Sequence, residues 1–254
     1  MSALEVLNRS KPADKRKKCA LGIMTKAPVA GKVKTRLSPP LTLAEAAELN
    51  VCFLRDISCA IELVSQDATA QGVGIYTPVG SEAIFESILP GSFALILQRG
   101  ENFGERLAAA LDDLLSVGFD SVCLINSDSP TVAASSFREA ATELSKPGDR
   151  IVLGPSDDGG YYLIGLKKPH LRVFEGIEWS TERVFDQTME HAREIGTNTH
   201  LLPSGFDVDD GLTLKRLCRE LLGSEPRADL APATTAFLRR IVETEGKERI
   251  WPDA

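Results

Sequence analysis

The sequence predicts an α/β protein in three layers, with a mostly parallel sheet between helices. Short apolar runs of β character, "CALGIM" (19–24), "VGIY" (73–76), "FALIL" (93–97) and "SVCLIN" (121–126), alternate with longer stretches of helical periodicity. Continuous apolar runs of this kind suit strands covered on both faces. No internal repeat or low-complexity linker interrupts the pattern, so one mixed α/β domain is expected.

The elements follow in order. Residues 1–17 include the basic run "KPADKRKK" and are expected to be a solvated tail. No apolar segment long enough for a signal-peptide core or a membrane span follows it. After the strand at 19–24, a helix is expected from Thr42, which forms a capping-box pair with Glu45. Its buried stripe is Ala46, Leu49, Phe53, Ile57, Ala60 and Val64. Cys52 and Cys59 lie two turns apart on one apolar face of it and are expected in the core. A second helix starts near Asn102 with Leu107, Leu111 and Leu114 inward, and a third, shorter one follows Pro130.

The second half changes character. "RIVLGP" (150–155) and "YYLIGL" (161–166) are strand-like runs joined by "SDDGG", a sequence suited to a tight turn. A helix is expected after Trp179 to about Ile195, then a strand around His200 to Leu202, then the stretch "FDVDDGLTLKRLCRELL". The catalytic-type domain is expected over 18–222, with 223–254 as a C-terminal helical extension.

Composition narrows the function. A chain of 254 residues with 43% hydrophobic residues buries a full core, and its net charge of −7 argues against nucleic-acid or membrane partners. Five cysteines without CxxC spacing read as reduced thiols of a cytoplasmic protein. Three isolated histidines and the lack of GxSxG make a zinc site or a Ser–His–Asp hydrolase improbable.

Against that acidic average stands "KAPVAGKVKTRL" (26–37), with Lys26, Lys32, Lys34 and Arg36 around Pro28 and Gly31. It lies just after the first strand, where ligands gather in open α/β sheets. Its backbone N–H groups and cations suit a phosphate, although a solvated loop would have the same composition. It is not a Walker A loop, because Gly31-Lys32 is followed by Val33. "NSDSP" after the strand ending at Ile125 places Asp128 where a hard divalent cation would be held, and taken alone a helix cap explains it better. "DVDD" (207–210) concentrates three carboxylates before a helix, as a cap or as a cation site. Asp128 and Asp209 together would make a two-carboxylate site completed by substrate phosphates and water.

In order, "KAPVAGKVKTRL", "QRGENFGERLAAAL", "INSDSP", "DDGGYYLIGL", "WST" and "DVDD" resemble the bacterial glycosyltransferase-like family labelled arsenosugar-biosynthesis glycosyltransferases. That family lies in the nucleotide-diphospho-sugar transferase superfamily, with a GT-A-like fold, and the resemblance spans about residues 19 to 222. It implies phosphate binding by Lys26, Gly31, Lys32, Lys34 and Arg36, and nucleobase contacts by Gln98 and Gly104. It implies Mg²⁺ or Mn²⁺ on Asp128 and Asp209, and an acceptor side formed by Asp158, Gly159, Gly160 and Tyr161. Many glycosyltransferases carry a full DxD, whereas this chain has Ser127-Asp128-Ser129, and its Gln98-to-Gly104 spacing only approximates that of nucleotidyltransferases.

Outside this resemblance, Gln98 also reads as a strand-end polar group, "DDGG" as a hairpin turn and Trp179 as packing. The expected activity is a metal-dependent transferase using a nucleotide-activated donor, a glycosyltransferase acting on a small-molecule acceptor. Asp158 or Asp157 would be its general base. The alternative is a nucleotidyltransferase that joins an NTP to a phosphorylated small molecule and releases pyrophosphate. A catalytically silent nucleotide-binding protein is the third.

Overall fold

A computed structural model of the chain describes residues 3–10, 18–66 and 69–251. Among them are strands β1 (Glu5–Val6), β2 (Cys19–Lys26), β3 (Ala70–Thr77), β4 (Ala94–Leu97), β5 (Ser121–Ile125), β6 (Arg150–Pro155), β7 (Tyr161–Leu166) and β8 (Asn198–Leu201). They form one sheet in the order β1-β4-β3-β2-β5-β7-β6-β8. Every neighbouring pair is parallel except the two that involve β7, which runs against β5 and β6. The helices are α1 (Leu43–Ser65), α2 (Glu82–Glu86), α3 (Phe103–Ser116), α4 (Ala134–Ser145), α5 (Val184–Glu194), α6 (Gly211–Leu222) and α7 (Pro232–Glu245). This is the three-layer α/β fold.

Strand periodicity builds the layers. Leu21 and Ile23 of β2 share a core with Leu54, Ile57 and Ile61 of α1 and Phe137 of α4. Ala20 and Met24, which alternate with them, face Leu107, Leu111 and Leu114 of α3. α1 starts as its sequence dictates. The Thr42 hydroxyl accepts from the Glu45 N–H at 3.2 Å, and the Thr42 N–H donates to the Glu45 carboxylate at 2.7 Å.

A third core joins α1, α6 and α7, so the C-terminal segment is a packed cover. Asp56, buried on α1, accepts the Ala233 and Thr234 N–H groups at 2.8 Å each and so caps α7. Burial pushes the Asp56 carboxyl pKa up, although these hydrogen bonds pull the other way. Cys52 is buried beneath this cover. Cys59 is exposed, contrary to the expectation of a core position, because the cover begins at Asp56 and runs back toward the start of α1.

The solvated tail is corrected at its beginning. β1 pairs with β4 at the sheet edge, and Leu4 and Leu7 are buried against the core. Residues 1–2 and 11–17 lie outside the described residues. No helix among the described residues is long and apolar enough to cross a membrane.

Candidate active site

The loop after β2 carries the four cations, but they do not act alike. Gly31 has φ +74°, and Lys34 is a non-glycine residue in the left-handed region at φ +49°. From there Lys34 caps the short turn Thr35–Leu37 and sends its side chain inward to 6% exposure. Its Nζ lies 2.6 Å from Asp128 Oδ1 and 3.0 Å from Asp209 Oδ1, and it donates to the Val208 carbonyl at 2.8 Å. Burial alone would pull the Lys34 ammonium pKa down. The two carboxylates outweigh it, and the net direction is up. Arg36, 72% exposed, reaches Asp209 Oδ2 at 2.9 Å. Lys26 and Lys32 remain exposed. Among the described residues, the N–H groups of Val33, Lys34, Thr35 and Arg36 make no backbone hydrogen bond.

The "NSDSP" and "DVDD" turns meet at the same edge. The Val208 N–H donates to the Asp128 carbonyl at 2.9 Å, which fixes one turn on the other. The acids of "DVDD" divide their roles. Asp210 is the N-cap of α6, accepting from the Leu212 and Thr213 N–H groups at 3.0 and 2.9 Å. Asp209 meets the cations. Asp207 Oδ1 accepts from Asn126 Nδ2 at 2.8 Å, Ser129 Oγ at 2.5 Å and Ser156 Oγ at 3.3 Å. Burial raises the Asp207 carboxyl pKa to about 6; these neutral donors oppose the rise, and the nearby charges of Asp128 and Asp158 add to it. Cap and site are therefore both present within four residues.

The β6–β7 turn brings two more acids to this edge and separates them. Asp158 lines the large cavity and accepts the Gly160 N–H at 2.9 Å. Asp157 instead holds Ser204 Oγ at 2.7 Å and pairs with Arg216 at 2.7 Å. The structure thus gives Asp157 the place of a structural pin and leaves Asp158 facing the cavity. Gly159, at φ +85°, lies against α5's approach, where an added Cβ would come within 2.2 Å of the Glu182 carbonyl oxygen. Gly160, Tyr161 and Tyr162 line the cavity, and Tyr162, otherwise buried, donates to the Pro203 carbonyl at 3.0 Å.

Gln98 and Gly104, the expected nucleobase pair, line neither of the two cavities described below. Gln98 donates through Nε2 to the carbonyls of Thr25 and Ile75 at 2.8 and 2.7 Å, tying β2 and β3 beyond the end of β4, and it lines neither cavity. Gly104 gives room for Trp179, whose Nε1 would be 2.8 Å from an added Cβ. Trp179 then stacks edge to face on Phe103, with ring centroids 5.0 Å apart. Both rings line the cavity. In sequence Trp179 reads as packing, and the "NF" at a helix start carries no signal of the wall that Phe103 makes.

Two cavities result, side by side. The smaller, about 290 Å³, is walled by Lys26, Lys32, Lys34 and Arg36. The larger, about 560 Å³, is walled by Phe103, Tyr161 and Trp179 and by the acids Asp158, Glu182 and Asp207. Arg36, Ser127, Asp128 and Asp209 belong to both. No group of three or more His, Cys, Asp or Glu side chains among the described residues is arranged to hold a metal unaided.

With this geometry the chain can be compared with known proteins. No curated protein matches it in sequence. A family model described as an uncharacterized protein conserved in bacteria (DUF2064) matches residues 60–181. The crystal structure of a candidate nucleotide-diphospho-sugar transferase from Desulfovibrio desulfuricans G20 is 28% identical, covers 89% of this chain and 96% of that chain, and superposes with a TM-score of 0.77. CMP:2-keto-3-deoxy-manno-octonic acid synthetase, solved with CTP, is similar in fold at 11% identity, with 78% and 96% of the two chains covered and a TM-score of 0.51. The fold is that of the nucleotide-diphospho-sugar transferases, and the likeness to the Desulfovibrio protein supports an enzyme of the transferase class.

Proposed function

We propose that the chain transfers a glycosyl group from a nucleoside-diphosphate donor to a hydroxyl-bearing small molecule. The observation that carries this reading is the pair of adjoining cavities, one cationic and one not, that share Asp128 and Asp209. The donor's diphosphate would lie in the cationic cavity against Lys26, Lys32 and Arg36, with the free N–H groups of residues 33–36 beneath it. The acceptor would lie in the larger cavity beside Asp158. The acceptor oxygen forms a bond to the donor's anomeric carbon while the bond from that carbon to the diphosphate oxygen breaks. The electron pair leaves with the nucleoside diphosphate, and the acceptor's proton passes to the Asp158 carboxylate.

The donor set around Lys34 suits a hard divalent cation. Lys34 Nζ is a monovalent charge standing within 3.0 Å of one oxygen of each carboxylate. Two carboxylates completed by phosphate oxygens and water are a usual magnesium arrangement. Asp128 and Asp209 would hold Mg²⁺ or Mn²⁺ together with the donor, and the ion would supply charge neutralisation for the leaving diphosphate.

Lys34 also favours a diphosphate over a triphosphate. The loop's four cations look sufficient for an NTP, but Lys34 is engaged by Asp128 and Asp209, and Arg36 is shared with Asp209. The test is incubation with Mg²⁺ and separate panels of nucleotide sugars and NTPs, with nucleoside diphosphate and pyrophosphate detected independently. Nucleoside diphosphate release is expected, and Arg36→Lys should weaken donor binding about tenfold by losing one forked, charge-assisted contact. Pyrophosphate release from an NTP would sink the glycosyl reading.

A further inference from the structure

We infer that the larger cavity takes an acceptor carrying both a hydroxyl and a positively charged ammonium group. The inference rests on the proposed function for which cavity receives the acceptor, and on the charge and chemistry of its walls for the rest.

The acids around the cavity fall into two groups. Asp128 and Asp209 are neutralised by Lys34 and Arg36. Asp158, Glu182 and Asp207 have no cationic partner among the described residues. This is not a general feature of acids near the site, since Asp157, one residue away from Asp158, has Arg216 at 2.7 Å. Arg183, next to Glu182, is directed to Glu178 instead. Three carboxylates facing one concave space, with Arg36 as the cation in its wall, create a potential that repels phosphate and carboxylate groups and attracts cations.

Aromatic rings share the cavity wall with these acids. Phe103 and Trp179 meet edge to face, and both, with Tyr161, border the same space as Asp158 and Glu182. Aromatic faces attract ammonium groups through the ring quadrupole, and a neighbouring carboxylate adds to that attraction. A neutral polyol would leave the three carboxylates unbalanced, and an anion would add to their repulsion. An ammonium satisfies the acids and the rings at once.

The test uses two probes of nearly one shape, (2-hydroxyethyl)trimethylammonium and its neutral isostere 3,3-dimethylbutan-1-ol, and the phosphate monoester of that alcohol as an anionic third. Binding to the full-length protein is measured by calorimetry, with and without a nucleoside diphosphate and Mg²⁺. The ammonium probe is expected to bind about tenfold or more tightly than the neutral one, with the phosphate ester weakest. Glu182→Gln should reduce the ammonium preference several-fold, and Trp179→Leu should reduce it again. Equal binding of the charged and neutral probes, or tightest binding of the phosphate ester once nucleoside diphosphate and Mg²⁺ fill the cationic cavity, would overturn the inference. So would a preference that Glu182→Gln leaves intact. Failure of the nucleoside diphosphate to bind in the same titrations would remove the proposed function while the probe ranking still decides the charge of this cavity.

Discussion

The two cavities meet along a common border yet are built on opposite principles. In the smaller one, cations outnumber acids, and one of them, Lys34, is withdrawn from the surface to hold the border together. In the larger one, Asp158, Glu182 and Asp207 stand without cationic partners among the described residues, and their charge is softened by neutral donors or left facing solvent. The difference teaches how an acidic protein can hold a polyanion. Attraction is confined to one short loop, and the adjoining space is kept at the opposite sign, so that on the proposed function two substrates would be sorted by charge as well as by shape.

Removing Lys34 would break that contrast most severely. Lys34→Met leaves Asp128 and Asp209 facing one another without the ammonium between them. Loss of one partner from a buried ion pair costs about 3–5 kcal/mol, and these carboxylates, 31% and 36% exposed, place the expected loss near the lower end. Urea unfolding should show a midpoint shift of that size, and addition of Mg²⁺ with a nucleoside diphosphate should restore part of it. An unchanged midpoint would mean that Lys34 does not bind the border together.

Asp207 tests the acidic side. Its carboxyl pKa is raised by burial to about 6, whereas an unfolded aspartate titrates near about 4. Between these values the folded protein keeps a proton that the unfolded chain has released. Stability therefore falls as pH rises from about 4 to about 6 and stays reduced above that window. Asp207→Asn keeps an oxygen for Asn126, Ser129 and Ser156 but carries no charge. It should stabilise the protein by on the order of 2 kcal/mol at pH 7, with the gain fading toward pH 4. Urea midpoints measured at both pH values check this, and a gain independent of pH would contradict the assignment.

Asp157 gives the smallest effect and the sharpest contrast. Its pair with Arg216 is roughly half exposed, so Asp157→Asn should cost less than about 1 kcal/mol. Glycosyl transfer should persist in it and collapse in Asp158→Asn. Equal loss of transfer in the two variants would return Asp157 to the site.

What could be read from the sequence was local, and what could not be read was mostly non-local. The strands around Leu21, Val73, Leu95 and Leu124 were legible because strands buried on both faces are apolar along their length. The capping box of α1 was legible because both partners lie within one turn. β1 was missed because two residues are too few to show a strand period. The pairing of Lys34 with Asp209 joins residues 175 apart, and no feature near either position announces it. Gln98 looked like a ligand contact because its carbonyl partners, on Thr25 and Ile75, come into reach only once β2, β3 and β4 are assembled. The two acids of "SDDGG" are indistinguishable in sequence, and only the direction of the β6–β7 turn separates them.

The reversal of β7 has a mechanical consequence. A parallel return to this edge would need a crossover of a dozen or more residues, whereas the turn between β6 and β7 delivers Asp158 in five. That side chain is consequently carried on a stiff bracket, clamped by strands on both sides and by Gly159 against the Glu182 backbone. The stretch from Leu166 to α5, which carries Trp179, has no strand or α-helix, only one short 3₁₀ turn at Leu171–Phe174. On the proposed function, adaptation to acceptors of different size would fall to the Trp179 stretch, while the reacting oxygen would be registered against the braced turn.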